Sequence, residues 1–344
     1  MRPLLWQNAA TLAWGRLGWV WGALVAVMVV VAWSPMGVGL EALAAAPAVK
    51  APAAAKPDLP EPVELGANDL RTDDGVVLHA TFFPSPKVRE GRGKDAVPVV
   101  LLHGWKGQRT DYANLARHLQ AAGHAVLVPD LRGHGQSTTQ RFGAESVTLD
   151  AERLPPAQFV NMVRHDMETL KSFFVQKNNA GQVNLEKLCL VGADVGALVA
   201  MNWAVTDWAW PIYPGLKQGQ YVKALVLLSP PMAARGLDVK PAMAPGPVRS
   251  QLSIYILAGR EGKRVYSDAQ RLNKMLEPYH PEPAEKETAA RKDLWFKGLE
   301  TKAQGTALLE DPLVAKYIAD FIDRRLVKQD FPWTHSGKKA PSRP

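Results

Sequence analysis

Lys187-Leu188-Cys189-Leu190-Val191 is a short apolar run that passes straight into Gly192-Ala193-Asp194-Val195-Gly196-Ala197, and Ala197 to Trp208 then reads as a helix. An apolar run of this length, closed by glycine, is the pattern of a strand buried on both faces. The segment is a strand, a glycine-bounded loop and a helix. In open α/β sheets, ligands and chemistry gather in such loops, at the carboxyl edge of the strands.

The rest of the body repeats the alternation. Val97–Leu102, His124–Pro129, Lys223–Leu228 and Ser253–Leu257 are runs of strand type, Gly75–Phe83 is β-rich, and Asp293–Phe296 reads as a short last strand. Between them Tyr112, Leu115, Ala116 and Leu119 recur at helical spacing, and Gly123 closes that helix. Further helices are expected around Ala157–Phe174 and over Tyr266–Leu276. The last begins with Asp311 as N-cap and Pro312 in its first turn, with Val314, Tyr317, Ile318, Phe321 and Ile322 on one face. Apolar strands alternating with amphipathic helices predict a three-layer α/β domain, a mainly parallel central sheet with helices on both faces.

Three loops at the carboxyl edge carry signals. The first is His103-Gly104-Trp105-Lys106-Gly107, the second Asp130-Leu131-Arg132-Gly133-His134-Gly135-Gln136-Ser137, and the third the loop around Asp194. In this order and at these separations the set resembles the α/β-hydrolase superfamily, over roughly Leu70 to Leu326. The resemblance implies that the first loop supplies an oxyanion hole, with backbone donors at Trp105 and Val195. It implies that the third loop is the nucleophile elbow, G-x-S-x-G, whose glycines let strand and helix approach while the central residue is strained and exposed. Only the segment Pro230–Leu252 lies where capped relatives carry a helical domain, so a small lid and no large cap domain is expected. The body therefore looks like an esterase, a dienelactone hydrolase or a serine aminopeptidase-like hydrolase.

The catalytic positions depart from that pattern. Asp194 stands where those hydrolases have Ser or Cys. The haloalkane dehalogenases and epoxide hydrolases of the superfamily use Asp there, since a carboxylate can attack carbon; Asp also tolerates positive φ and fills such a turn without chemistry. The acid is expected after Ser253–Leu257 as G-x-x-D, and Gly259-Arg260-Glu261-Gly262 puts Gly262 in its place. The other place for an acid, after the preceding strand, reads Ser229-Pro230-Pro231. The base is expected before the last helix, and Lys302-Ala303-Gln304-Gly305-Thr306 puts Gln304 there. Glutamine orients water but takes no proton, and hydrolysis of an ester intermediate needs a base. His103, His134 and Glu261 are the groups that could assist Asp194 in a rearranged enzyme acting on an ester, amide, halide or epoxide. The favoured expectation is a non-catalytic member with a binding or interaction role.

Composition narrows the rest. With 47% hydrophobic and 22% charged residues the 344-residue chain is an ordinary globular protein. A single cysteine, Cys189, excludes an internal disulfide and cysteine-based metal clusters. The histidines form no H-x-x-x-H pattern, so no metal and no cofactor is expected. The net charge of +8 is spread along the chain without a basic stripe, which argues against a nucleic-acid partner; a small molecule or a protein remains. At the N-terminus Arg2 and Arg16 precede an apolar centre from Leu17 to Trp33 and the small-residue site Ala42-Leu43-Ala44, the layout of an export signal. A retained membrane anchor is the alternative, and either reading predicts export to the periplasm, the exterior or the membrane. The expected organisation is a signal or anchor over 1–44, an Ala/Pro-rich linker over 45–63, the hydrolase-like domain over 64–326 and a short basic tail over 327–344.

Overall fold

The structure, a computed structural model, describes residues 59–211, 213, 216–284 and 291–337. The expected signal or anchor and most of the linker lie outside these residues. Among the described residues no helix is long and apolar enough to cross a membrane.

Eight strands form one sheet: β1 Val63–Leu65, β2 His79–Phe83, β3 Pro98–Leu102, β4 Ala125–Asp130, β5 Leu188–Ala193, β6 Val222–Leu228, β7 Ser253–Gly259 and β8 Leu294–Leu299. Their order across the sheet is β1-β2-β4-β3-β5-β6-β7-β8. Strand β2 runs antiparallel to both its neighbours, and from β4 to β8 every pairing is parallel. The order reverses between β3 and β4, so the loops after β3 and β5 open side by side at the crevice that such a switch creates.

Alternation along the strands builds two cores. Val100, Leu102 and Leu190 belong to one, and Val99, Leu101, Cys189 and Val191 to the other. The first is closed by α2 Met167–Asn179, α3 Val195–Ala209 and α4 Lys263–Leu276, through Leu170, Phe174, Leu198, Trp203 and Leu272. The second is closed by α1 Ala113–Ala121 and α5 Pro312–Ile322, through Leu115, Leu119, Val314, Ile318 and Phe321. Three layers result, as the pattern predicts. The N-cap of α5 forms as expected, Asp311 Oδ1 accepting from Leu313 N at 2.9 Å. Each fully buried Leu or Ile on these faces contributes roughly 1.5–3 kcal/mol.

Several bounds move. The Gly75–Phe83 stretch divides: Val76–Val77 joins a separate three-stranded sheet with Thr139–Phe142 and Glu145–Thr148, a hairpin the apolar pattern misses because its residues are largely exposed. The helix expected around Ala157–Phe174 is Pro156–Asn161, a wide turn over Met162–Asp166, and α2. Between β6 and β7 stand a hairpin, Ala233–Ala234 with Leu237–Asp238, and the short helices Lys240–Met243 and Pro247–Ser250, which together make a small lid. Beyond 327 the chain is pinned to the body: Asn184 Nδ2 donates to Phe331 O, Asn178 Nδ2 to Thr334 O and Asn179 Nδ2 to Ser336 O.

Candidate active site

The loop between β5 and α3 turns as sharply as its glycines allow. A Cβ on Gly192 would lie 2.4 Å from Gly196 O, and one on Gly196 would lie 2.4 Å from Leu102 O and 2.5 Å from His103 O. Both positions therefore have room for hydrogen alone. Asp194 sits at the apex with φ 48° and ψ −119°, in the region that strains a residue with a side chain. Its own N–H is tied to Leu228 O at 3.0 Å, which fixes the apex against β6. Gly104 of the first loop faces it: a Cβ there would meet Asp194 Cβ at 3.1 Å.

Of the two residues expected as oxyanion donors, Trp105 turns its N–H on Asp194 itself. Trp105 N donates to Asp194 Oδ2 at 3.3 Å. Val195 opens α3, so its N–H has no acceptor within the helix. A carboxylate beside these donors competes with an incoming oxyanion and repels it.

At the base position Gln304 is held on both ends of its amide. Nε2 donates to Gly259 O at 2.7 Å, while Oε1 accepts from Ser229 Oγ at 2.7 Å and from Gly259 N at 3.3 Å. Ser229 Oγ in turn accepts from Gly305 N at 2.9 Å. The amide thus braces the end of β7 against the loop before α5. Gly262, at the acid position, takes a larger residue only if Gln304 shifts: a Cβ there would lie 2.3 Å from Gln304 Nε2. Both places where an acid was sought, 262 and 229, therefore converge on residue 304.

His103 and His134 serve the loops. His103 Nε2 accepts from Leu131 N at 3.0 Å, so its proton is on Nδ1, 2.8 Å from Gly104 O. Burial first, and the neighbouring His134 second, push its pKa down to about 4, so it stays neutral. His134 Nδ1 lies 3.0 Å from Arg132 O, and burial lowers its pKa too. The two rings are 5.0 Å apart. Among the described residues neither histidine hydrogen-bonds Asp194. Glu261 is exposed, and among the described residues its hydrogen bonds, to Thr301 and Lys263, run through its backbone. The loop after β4 is tied by ion pairs: Arg132, fully buried, contacts Asp166 at 2.6 Å and Asp74 at 2.7 Å, and Asp130 binds Arg109. Asp73, Asp74 and His165 also converge, but Asp74 is already engaged by Arg132 and Thr72.

Sequence reasoning missed two participants. Ser229 was noted only as a missing acid, and its contact with Gln304 spans 75 residues. Arg235 was not singled out; its guanidinium stacks on the Trp105 ring at 3.6 Å. The local signal was the Arg235-Gly236 pair between two short strands.

The model of the alpha/beta hydrolase family matches residues 99–337. The chain belongs to the alpha/beta hydrolase family. The sn-1-specific diacylglycerol lipase ABHD11 of Danio rerio is 28% identical over 143 residues, which are 41% of this hydrolase-family chain and only 35% of the lipase. The chain thus matches about a third of that relative's length. Among solved structures, the acylaminoacyl peptidase of Pyrococcus horikoshii superposes with a TM-score of 0.52 at 14% identity, over 81% of this chain and 44% of the peptidase. An esterase of Rhizomucor miehei gives 0.50 at 15%, over 78% of this chain and 86% of the esterase. At such identities these likenesses show the fold alone.

Proposed function

We propose that this hydrolase-family protein is an exported, non-catalytic member that uses its elbow and lid as a binding site. The observation that carries the reading is the Gln304 brace. The residue at the base position holds Gly259 and Ser229 by three hydrogen bonds, so it is a structural tie with no proton to move. Asp194 supports the same conclusion, because it places its own carboxylate on the Trp105 donor that an acyl intermediate would need. Burial lowers the pKa of both histidines and neither is bonded to Asp194, so the described residues offer no relay for a hydrolytic water. Export is supported by the charged, apolar and small-residue succession over residues 2–44.

The test is turnover of a panel of acyl esters, amides, epoxides and haloalkanes by the purified chain, with Asp194→Ala beside it. The expected result is no turnover above buffer in either. Turnover that Asp194→Ala abolishes would sink the proposal and make Asp194 the nucleophile.

A further inference from the structure

The lid hairpin breaks a local rule. Ala234 pairs with Leu237, so Arg235 and Gly236 form a two-residue turn, with φ values of 54° and 84°. Positive φ at both places is the type that Asn-Gly or Gly-Gly satisfies at least cost, and arginine does so under strain. A residue that costs conformational energy at a turn tip is kept for its side chain.

That side chain is held in one orientation. The guanidinium carbon lies over Trp105, 3.6 Å from the ring centroid, with the Phe159 ring centroid at 5.8 Å. Trp105 is itself fixed, its Nε1 donating to Ala151 O at 3.1 Å and its N to Asp194. The hairpin is seated from below as well, since a Cβ on Gly236 would lie 2.8 Å from Pro156 Cβ. Among the described residues Arg235 meets no carboxylate at ion-pair distance and donates no hydrogen bond. The nearby Lys106, 4.8 Å from the same ring, is already paired with Glu152 at 2.6 Å. A planar fork of donors, stacked on an aromatic ring and unspent, matches a carboxylate in two parallel hydrogen bonds.

We propose that Arg235, held on the Trp105 ring at the tip of the lid hairpin, binds the carboxylate of a small ligand that has an apolar body. One free fork supplies one unit of positive charge, and Asp194, whose carboxylate accepts from the Trp105 backbone N–H, opposes a second negative charge, so the ligand is a monoanion. Trp105 and Met232, both partly buried and packed on the core that holds the fully buried Phe159, supply apolar surface for the ligand's body. The assignment rests on the reading of the elbow as a binding site.

The experiment is equilibrium titration of the full chain by calorimetry at fixed ionic strength, with phenylacetate, phenyl phosphate and phenethylammonium as probes. Phenylacetate is expected to bind, Arg235→Asn to weaken it at least tenfold, and Arg235→Lys to weaken it less. Arg235→Asn suits the turn, so its melting temperature is expected to hold or rise, which separates lost binding from lost fold. Asp194→Asn is expected to tighten phenylacetate severalfold. Absence of phenylacetate binding, equal binding by Arg235→Asn, or preference for phenyl phosphate or phenethylammonium would overturn the assignment. No arm reads turnover, so an active enzyme in the ester panel would defeat the non-catalytic reading and leave this result standing on its own.

Discussion

The elbow and the corner that faces it have fared differently. At the elbow Gly192, Gly196 and Gly104 still leave room for backbone alone, and residue 194 keeps its strained apex. At the corner of Ser229, Gly259, Gly262 and Gln304, side chains of a different chemistry bond to one another and to backbone. The elbow is where β5, α3 and the loop after β3 touch, so its shape is demanded by packing whatever residue 194 does. The corner is asked only to be filled and hydrogen-bonded. Residue identity is freest where the fold asks only for filling and hydrogen bonds.

The largest expected effect sets the two regions directly against each other. Gly196→Ala pushes a Cβ into two backbone carbonyls that cannot yield, and should cost about 3 kcal/mol. Gly262→Ala meets only the end of a glutamine side chain, and should cost about 1 kcal/mol. Urea midpoints of the two variants check the contrast; equal losses would erase it.

Next comes the brace. Gln304→Ala takes the acceptor from the Ser229 hydroxyl proton and the amide partner from the Gly259 backbone, and the expected loss is about 2 kcal/mol. A loss within error of zero in the same urea series would mean that the amide ties nothing.

Acid should act through the buried histidines. His103 and His124 are both held neutral by burial, their pKa values pushed down to about 4, and His134 is lowered as well. Below the ordinary histidine value the unfolded chain takes up protons that the folded chain refuses. Their stabilisation is therefore complete above about pH 6.5 and is lost as pH falls toward 4. Asp207, which burial raises to about 6, and Asp166, which burial also raises, run the other way, but they are two groups against three. Melting temperature should fall from pH 7 to pH 4.5, and a flat profile would contradict the buried-neutral assignment.

The smallest effect concerns the apex. Asp194→Gly relieves positive φ where Asp194→Ala keeps it, so the glycine variant should be more stable than the alanine one by about 1 kcal/mol. Equal stability would mean that residue 194 is not strained.

Much of this was legible in the residues. Apolar runs such as Val97–Leu102 and Lys223–Leu228 marked the central strands, because a strand covered on both faces has no polar side to disguise it. The elbow was legible because its demand is local, two glycines around one residue. The substituted triad positions could be read as absences, but what Gln304 does could not, since its partners Gly259 and Ser229 lie 45 and 75 residues away and neither is a polar signal in sequence. The exposed hairpin over 139–148 was missed for want of an apolar face. Arg235 was missed because a lone arginine beside a glycine is chemically silent until Trp105 is seen beneath it.

The most direct measurement of the central claim is ester turnover by the wild-type chain alongside two rebuilt variants. These are Asp194→Ser/Gln304→His with Ser229→Asp, and the same pair with Gly262→Asp, each acid placed where the structure puts it against residue 304. The account predicts a silent wild type and turnover by at least one rebuilt variant, because the elbow and its donors are intact and only the corner has been refilled. Turnover by the wild type, or silence from folded variants of both kinds, would contradict it.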